Sequence, residues 1–515
     1  MEDYFLVSCY LLMSYLSLYF LVKIVFQVWY TPRRIEDHYM KQGIKGPKYQ
    51  VFLGNLKELA SLNLMASSQP ILPLSHNILP RVLSFYHHWK KIYGSTFIVW
   101  FGTTPRLTIS DPALVRQVLV EKAEFFEKNE SPTLVRELEG DGLLSLKGEK
   151  WARHRKIIQP MFHVENLKMM IPIMGKSMEE AVAKWSEEMG RSGGKMEVEV
   201  SDWYQNLVED VIARATFGGS YADGRPIFQL QAQQMVHATQ AYHQVFIPGY
   251  RLLPTEKNRI SWRLEKEVRK SLVKLIDRRI RNATFQGQCP NDLLGLMIGA
   301  STAPNLEITV NDIVEECKTI FFAGKHTTLQ LLTWTTLLLA MHPRWQHLAR
   351  DEVLALCGSS DTPTKQHLPN LKMLSMILNE SLRLYPPVVA MIRRAKTDIH
   401  LGGLHILRGT ELLIPILAVH HDPAMWGHDA QEFNPMRFAK GVAHAAKHPM
   451  AFLPFGLGAR RCIGQNLAIL QAKLAIAMIL QRFSFELTPD YRHAPSVLML
   501  LHPQHGAPIV FRKLM

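Results

Sequence analysis

Cysteine is scarce in this sequence, with five residues in a chain of 515. They stand far apart, at Cys9, Cys289, Cys317, Cys357 and Cys462. No two of them form a Cys-x-x-Cys pair, so the spacing predicts neither a disulfide framework nor a zinc knuckle. The pattern is typical of a protein in a reducing compartment, where a single cysteine can still carry chemistry.

Clusters of basic residues are also missing, although the formal net charge is +14. Lys and Arg are spread along the chain, without a zinc finger, an RNA-recognition signature or a basic zipper. An anionic membrane surface or an acidic protein is therefore a better expected partner than nucleic acid. No low-complexity linker or internal repeat follows Val51, which predicts one large catalytic body over 51–515.

Long apolar runs are rare, but one stands near the N-terminus, where 19 residues from Tyr4 to Val22 carry no charge. About 20 apolar residues cross a bilayer core as a helix. Basic residues follow the run, so the positive-inside rule places the rest of the chain in the cytosol. A cleaved signal peptide is the alternative, but no basic segment precedes the run and no small-residue cleavage site follows it. We expect a transmembrane anchor over 1–30 and a basic connector with glycine and proline over 31–50.

The body is predicted to be mainly α, in an α+β fold with a small sheet. Expected helices are 168–189, 255–283, 309–341, 343–357, 371–384 and 463–482, and expected strands are 96–102, 105–110, 411–416 and 508–513. The run 309–341 is apolar on nearly all sides after Thr319, which predicts a buried central helix. Thr309 and Asp312 form a capping box at its start, and Pro343 ends it. Glycine in the middle of this helix, at Gly324, costs about 1 kcal/mol relative to alanine, so a close approach to the backbone is expected.

Cys462 ends a loop of glycine and proline, FLPFGLGARRC, and an apolar helix starts directly after it. Amide donors and the dipole at a helix N-terminus, together with Arg460 and Arg461, favour a thiolate there. Gly458 permits a tight turn, and Gly464 lets the helix start lie flat against a large ligand. Taken alone, such a cysteine is more often an inert buried thiol.

The pattern Phe455-x-x-Gly458-x-Arg460-x-Cys462-x-Gly464 resembles the haem-binding signature of the cytochrome P450 family. Four further motifs of that family stand in the same order: WARHR at 151–155, AGKHTT at 323–328, ESLR at 380–383 and FNPMRF at 433–438. The resemblance covers nearly the whole chain. It implies the fold of this family, a helix-rich body with a small β-sheet domain after the N-terminal transmembrane helix.

The resemblance implies a haem b cofactor and names the residues that hold it. Cys462 matches the axial thiolate ligand of the haem iron, whose electron donation favours O–O cleavage. Phe455, Gly458 and Gly464 complete the signature around it. The residues that match the holders of the haem propionates are Trp151, Arg155, Arg393 and Arg460. Pairing between arginine and carboxylate is well suited to that task.

Glu380, Arg383 and Arg437 match the buried triad that holds the cysteine loop in this family. Isolated Glu-x-x-Arg spacing is usually a surface pair, so this role depends on the resemblance. Gly324 matches the glycine that makes room for oxygen and substrate, and Thr327 the threonine that steers protons to the oxygen. The family usually has an acid before that threonine.

His326 departs from this acidic pattern. A histidine with the usual pKa of about 6.5 can relay protons at cytosolic pH. The imidazole can instead pack against a neighbouring helix, as neutral histidines inside helix bundles do. Both interpretations stay open at the level of the sequence.

Flavin and nicotinamide signatures are missing: Gly456-x-Gly458 is followed by Arg461 where a third glycine would stand. Electrons must therefore come from a partner, which in this family is a membrane-bound NADPH–cytochrome P450 reductase with an acidic docking surface. Candidate contacts are Lys147, Lys150, Arg153 and Arg461. An ordinary solvated basic surface explains each of them equally well. The resemblance also implies O2 as co-substrate and a single-pass anchor in the endoplasmic reticulum membrane.

Stretches such as LSMILNESLRLYPP and FGLGARRCIGQNLAILQAKL resemble a plant clan that contains the brassinosteroid-inactivating 26-hydroxylases. The implied activity is insertion of one oxygen atom from O2 into a C–H bond of a lipophilic molecule, first of all brassinosteroid C-26. A cytokinin, gibberellin or triterpenoid is an alternative substrate. A haem-thiolate isomerase and a non-catalytic haem-binding protein are further alternatives, disfavoured by Thr327 and by the complete motif set.

Family topology implies which segments face the substrate. They are 131–144, 235–252, the helix face near Phe321 and Ala323, 388–392 and 497–500. These segments are largely apolar, which suits a sterol-like body but is also usual for any core. His237, His243 and Gln244 can meet substrate hydroxyls or form part of a solvated helix face.

Overall fold

The computed structural model describes residues 2–514 except 70, 72–74, 218–220, 243–251, 287–291 and 303–307. The chain folds into two compact units. The first unit comprises Met1–Pro70, Asn77–Asn129 and Ala390–Val419. The second comprises Ile71–His76, Glu130–Val389 and His420–Met515. The region 51–515, expected as one body, contributes to both units.

The structure is rich in helix, with several short strands. In chain order, the helices are α1 (Glu2–Val25), α2 (Thr31–Lys41), α3 (Leu56–Ser68), α4 (Leu79–Val82), α5 (Ser84–Tyr93), α6 (Pro112–Arg116), α7 (Thr133–Glu139), α8 (Gly148–Ile158), α9 (Val164–Arg191), α10 (Val200–Phe217), α11 (Tyr221–Tyr242), α12 (Glu256–Gln286), α13 (Leu293–Thr302), α14 (Val310–Met341), α15 (Pro343–Cys357), α16 (Lys372–Leu384), α17 (Ile416–His420), α18 (Pro423–Trp426) and α19 (Gln465–Arg482). The strands are β1 (Ile98–Phe101), β2 (Thr104–Thr108), β3 (Phe126–Lys128), β4 (Lys195–Glu199), β5 (Met391–Ala395), β6 (Ile399–Leu401), β7 (Leu404–Ile406), β8 (Glu411–Ile414), β9 (Phe483–Leu487), β10 (Pro495–Val497), β11 (Leu501–Pro503) and β12 (Pro508–Lys513).

The N-terminal helix is continuous from α1 through a π-helical turn into α2. Over the described residues, Tyr4–Lys41 is the one helical stretch long and apolar enough to cross a membrane, and its apolar part is not buried in the protein. The segment 31–50, expected as a connector, starts as α2, which continues the N-terminal helix and contains Pro32. Tyr39 is fully buried and hydrogen-bonded to Thr410 Oγ1 at 2.7 Å, so this helix packs within the first unit.

The first unit holds a five-stranded sheet in the order β1-β2-β8-β5-β3. Only β2 and β8 pair in parallel, and the other neighbours are antiparallel. A separate hairpin joins β6 and β7. This is the small sheet that the strand-like runs near residues 100 and 411 predicted.

The second unit is built around α14, whose side chains are buried over most of its 32 residues. Its start is the predicted capping box, because Asp312 N donates to Thr309 Oγ1 at 3.1 Å and Thr309 N donates to Asp312 Oδ2 at 3.0 Å. Helix α10 packs along it, with a hydrogen bond of 2.7 Å between Tyr204 and Thr336. The unit also has a three-stranded sheet, β4-β12-β9, and a β10–β11 hairpin.

The predicted helix-rich α+β fold is confirmed, with element ends that differ by a few residues. The helix expected over 463–482 begins at Gln465, because Gly464 is its N-cap. The helix expected over 168–189 extends to Val164–Arg191 and carries Pro172 inside it. Ends shift because capping depends on local backbone geometry more than on hydrophobic periodicity.

Candidate active site

The cysteine loop is held by its own backbone. Cys462 N donates to Phe455 O at 2.8 Å, which closes the loop just before α19. Gly458 has a φ of 68°, in the left-handed region that glycine tolerates, so the predicted tight turn is present. A Cβ atom at Gly464 would meet only the Phe162 ring, at 3.9 Å, so space lies open in front of the helix start.

The Cys462 side chain is accessible to solvent although it lies deep in the protein, and it therefore opens onto an internal recess. Burial raises the pKa of this thiol. Hydrogen bonds from the backbone of Gly464 and Gln465, and the charges of Arg155 and Arg461, lower it by less. The helix start and Arg461 lower the pKa in the expected direction, but in the protein without a metal desolvation outweighs them. A metal ion reverses this balance, since a coordinating thiol is deprotonated outright.

Three of the predicted cofactor-binding residues come together beside this recess. The guanidinium of Arg460 lies 4.5 Å from the ring centroid of Trp151, and that of Arg155 lies 5.9 Å from the same centroid. Arg460 Nη2 donates to Leu146 O at 2.7 Å, and Arg155 Nη1 donates to Arg461 O at 2.8 Å. The elements that bring them together are α8, which carries Trp151 and Arg155, and the cysteine loop, which carries Arg460.

The two guanidinium groups form a positive site without an acidic partner. No carboxylate of a described residue forms an ion pair with Arg155 or Arg460. Burial lowers the pKa of both groups, and Arg155 lowers that of Arg460 further. Half-buried cations that repel one another need an anion from outside the chain. The donor set therefore fits a cofactor with a metal for Cys462 and carboxylates for the arginines, as haem has.

Arg393, the fourth residue predicted to bind the cofactor, belongs to β5 in the first unit. Its backbone pairs with Leu412 of β8 and Lys128 of β3. Its side chain donates to Ile392 O at 2.9 Å. Its link to the haem depends on the motif match.

The predicted triad of Glu380, Arg383 and Arg437 is present and buried. Arg383 donates twice to the Glu380 carboxylate, from Nε to Oε2 and from Nη2 to Oε1, both at 2.7 Å. Arg437 Nε lies 3.4 Å from Glu380 Oε1, and its Nη2 forms a shorter ion pair of 2.6 Å with Asp429. Arg383 also donates to backbone carbonyls, including Ala430 O at 2.6 Å. These bonds tie α16 to the segment that leads to the cysteine loop.

One face of α14 stays accessible although the helix is otherwise buried. Ala323, His326, Thr327 and Gln330 are partly accessible, at the three- and four-residue spacing of a single helix face. Since this face lies in the middle of a buried helix, it lines an internal cavity. Thr327 Oγ1 donates to Ala323 O at 2.7 Å, which leaves its lone pairs free to accept.

His326 lies on this face, beside Phe322, with ring centroids 5.3 Å apart. Burial lowers its pKa to about 3, and the charge of Lys325 adds to the effect. The premise of an ordinary pKa near 6.5 is therefore wrong, because burial and the adjacent Lys325 cation both disfavour the charged ring. The imidazole is accordingly neutral at cytosolic pH.

The other residues of AGKHTT serve helix packing. Lys325 is buried and forms an ion pair with Glu209 of α10, which is buried as well. A Cβ atom at Gly324 would lie 2.6 Å from Ile212 Cδ1, so the glycine also lets α10 approach α14. The close approach that this glycine predicted is thus, in part, that of another helix.

A cluster of apolar side chains brings together four of the five segments that the resemblance assigned to the substrate. It contains Val135, Leu138, Ala238 and Phe322, with Leu144, Met235 and Met499 packed against it. Phe322 takes the place expected for Phe321, which is fully buried against Phe228, because neighbouring helix residues point about 100° apart. His237 is partly accessible on α11, and His243 and Gln244 lie outside the described residues.

The candidate reductase contacts are partly engaged within the chain. Lys147 pairs with Glu130 at 3.2 Å, and Lys150 pairs with Asp312 at 2.6 Å. Arg461 Nε donates to Gln465 Oε1 at 2.8 Å. The Lys147–Glu130 pair is largely exposed and therefore weak, whereas the Asp312 side chain of the Lys150 pair is mostly buried.

Among the described residues, no group of three or more His, Cys, Asp or Glu side chains could hold a metal ion. A family model described as Cytochrome P450 matches residues 71–508. The chain belongs to the cytochrome P450 family. It is accordingly a haem b enzyme of the monooxygenase type.

Plant cytochromes P450 are similar to this chain over almost its full length. Cytochrome P450 734A1 from Arabidopsis thaliana is 63% identical over 500 residues, covering 96% of this chain and 95% of the relative. Cytochrome P450 734A6 from Oryza sativa subsp. japonica is 57% identical over 507 residues, covering 95% and 93%. Cytochrome P450 CYP72A616 from Paris polyphylla is 45% identical over 494 residues, covering 95% of each. The predicted resemblance to a plant cytochrome P450 clan is confirmed.

Sequence reasoning missed several residues that shape this site. Glu209 and Ile212 on α10 fix the position of α14, and no motif marks them. Asp429 shares the ion-pair network of the triad. His420, in the stretch AVHHDP, bonds to both the triad and the cysteine loop. Two adjacent histidines beside an apolar run were the only signal for it.

Proposed function

We propose that this cytochrome P450 hydroxylates a brassinosteroid, a plant steroid hormone, at C-26 and thereby inactivates it. The observation that carries the proposal is the apolar cluster around Phe322, next to the accessible face with Thr327. A rigid sterol-like body needs such a lining, with few polar groups near the reacting carbon. The resemblance to the plant clan of steroid 26-hydroxylases supports the choice among lipophilic substrates.

The proposed haem site follows the motif residues. Cys462 is the proposed thiolate ligand, and Phe455, Gly458 and Gly464 shape its loop. The carboxylates of haem would pair with Arg155, Arg460 and Arg393 and with the indole of Trp151. Bound haem supplies oxygen activation, and its thiolate ligand favours O–O cleavage. The chain supplies the recess, the cations and the exclusion of water.

Thr327 is the proposed proton-handling residue. Its hydroxyl lies on the accessible face and donates a hydrogen bond to Ala323 O at 2.7 Å, so its lone pairs can accept a hydrogen bond from the cavity side. His326 next to it is neutral because burial and Lys325 lower its pKa to about 3. We propose that the imidazole accepts or donates a hydrogen bond at the cavity wall and does not deliver protons by titration. Gly324 keeps the backbone open at this point.

Electrons would come from NADPH–cytochrome P450 reductase, and O2 would be the co-substrate. Lys147, Lys150, Arg153 and Arg461 form the proposed basic docking surface. The N-terminal helix would anchor the enzyme in the endoplasmic reticulum membrane over 1–30, followed by the 31–50 connector and a cytosolic catalytic domain over 51–515. These assignments rest on the apolar helix, on the basic residues after it and on the family resemblance.

A product screen tests the function. The full chain with reductase and NADPH is incubated with castasterone-like brassinosteroids, cytokinins, gibberellins and triterpenoids, and products are identified by mass spectrometry. We expect a brassinosteroid with one added oxygen at the end of its side chain. If only compounds of another class were converted, the brassinosteroid proposal would be wrong and that class would be the substrate. Product formation without reductase would favour a haem-thiolate isomerase.

The ligand assignment has its own control. Cys462→Ala should abolish the carbon monoxide difference band of thiolate-ligated haem. Cys9→Ala, which changes an accessible cysteine in the N-terminal helix, should leave this band unchanged. Survival of the band in the Cys462 variant would remove that residue as the ligand.

A further inference from the structure

His420 lies at the end of α17, fully buried, between the triad helix and the cysteine loop. Its Nδ1 lies 3.1 Å from Arg383 O, and its Nε2 lies 3.0 Å from Leu453 N. Arg383 also bonds to the backbone of His420, because its Nη1 donates to His420 O at 2.9 Å. The imidazole is also stacked on Phe452, with ring centroids 5.5 Å apart.

These hydrogen-bond partners determine the tautomer and the protonation state of the His420 imidazole. A backbone N–H can only donate, so His420 Nε2 must accept from Leu453, and Nδ1 must carry the proton that goes to Arg383 O. The neutral ring satisfies both bonds, and a protonated ring would set one N–H against another. Burial and the neighbouring His421 and Arg383 keep the ring neutral by lowering its pKa to about 3.

The bond to Leu453 leads directly into the loop that ends at Cys462. Gly456 N donates to Leu453 O at 3.0 Å, and Cys462 N donates to Phe455 O at 2.8 Å. Each step is a short backbone hydrogen bond, so a shift of Leu453 moves the start of the cysteine turn. Within the described residues, neither Glu380 nor Arg383 bonds directly to this loop, and His420 supplies the connection.

We propose that His420 is a positioning residue, which transmits the rigidity of the buried Glu380–Arg383 pair to the cysteine loop and so keeps Cys462 in ligand geometry. The inference rests on the proposed ligand role of Cys462. Loss of the bond from Leu453 N leaves a buried N–H group without an acceptor. Such a loss shifts the equilibrium between the ligated and the detached state of the thiolate by about tenfold. The ratio of thiolate-detached to thiolate-ligated haem therefore rises by about this factor when the acceptor at Nε2 is removed.

The test compares three variants of His420 in the full holoenzyme. His420→Phe keeps the ring and loses both bonds. His420→Asn retains an amide near the Nδ1 position and loses the acceptor for Leu453, whereas His420→Gln places an amide oxygen near the Nε2 position. The carbon monoxide difference spectrum gives the fraction of haem that has lost its thiolate. We expect a rise of about tenfold in the detached-to-ligated ratio for Phe and Asn, and a smaller rise for Gln.

His421 provides a matched control. It is equally buried at the adjacent position, but its Nε2 donates to Leu384 O at 2.9 Å and makes no bond to the loop. His421→Phe should lower thermal stability as His420→Phe does and leave the haem ratio unchanged. Equal haem ratios in the two Phe variants would overturn the proposal, and so would a Gln variant that behaves like the Asn variant. A wild-type protein without the thiolate band would instead overturn the ligand role of Cys462.

Discussion

Gly324 of α14 faces Ile212 of α10 so closely that a Cβ atom there would lie 2.6 Å from Ile212 Cδ1. The two helices therefore meet at the point where α14 also lines the cavity. Lys325 and Glu209, one residue and one helical turn away, form a buried ion pair between the same helices. The AGKHTT segment is thus also the point at which α10 contacts α14 most closely.

Gly324→Ala should leave the free energy of unfolding within about 1 kcal/mol of wild type, because crowding against Ile212 offsets the better helix propensity of alanine. Ile212→Val removes the Cδ1 atom that the new methyl group would meet. The double variant should therefore be more stable than the sum of the single effects predicts. Chemical denaturation of the four proteins measures this coupling, and strictly additive effects would contradict the contact.

Removing one of the unpaired arginines should weaken haem binding. Arg460→Gln or Arg155→Gln removes a charge-assisted hydrogen bond to an anionic group, so we expect about tenfold faster haem loss. Transfer of haem to an excess of apomyoglobin measures the rate. Arg191→Gln changes an exposed arginine that pairs only with Glu187 at the surface, and it should leave haem loss unchanged. Equal rates in all three variants would remove the arginines from the haem site.

Thr327→Ala should uncouple NADPH oxidation from product formation, because it removes the hydroxyl that we propose handles protons. We expect product per NADPH to fall by about tenfold or more, with the carbon monoxide band intact. Thr327→Ser keeps the hydroxyl and should retain most of the coupling. Thr328→Ser alters the neighbouring threonine, which is buried and points away from the cavity face, and it should be close to wild type. Full coupling in the Ala variant would exclude this role.

The buried Glu380–Arg383 pair should be essential to stability. Replacing one partner leaves a buried charge without compensation, at a cost of about 3–5 kcal/mol. We expect Arg383→Ala to be poorly folded and to lack the thiolate band. The surface pair of Arg512 and Glu486, both about half exposed, gives the comparison, and Arg512→Ala should change stability little. Thermal unfolding by circular dichroism separates the two cases.

Acid should destabilise the protein below the ordinary histidine pKa. Burial lowers the pKa of His76 to about 2 and of His420 and His421 to about 3. Between these values and about 6.5 the unfolded chain binds more protons, so this stability is present above pH 6.5 and is lost as the pH falls. Each histidine contributes on the order of 1.5 kcal/mol between pH 6.5 and 5. Midpoints of chemical unfolding measured between pH 6.5 and pH 5 test this prediction. His76→Asn should flatten the slope, and His428→Asn, at an exposed position, should not.

The sequence predicted those features of the site that depend only on residues close together in the chain. The cysteine turn needs Gly458 at positive φ, and the capping box of Thr309 and Asp312 needs only neighbouring residues. The triad and the two arginines beside Trp151, Arg155 and Arg460, were predicted from family motifs. The structure brings the members of each group together. His420 and Ile212 were missed, because nothing in their own neighbourhood marks a partner that is far away in the chain.

The sequence by itself determined the apolar N-terminal helix, the central helix α14 and the turn before Cys462. These features follow from hydrophobic periodicity and backbone preferences, which act over a few residues. Only the tertiary structure decided the direction in which the pKa values of Cys462 and His326 are shifted, since desolvation depends on every group packed around a site. It also decided that Gly324 makes room for α10, because that contact joins residues more than a hundred positions apart.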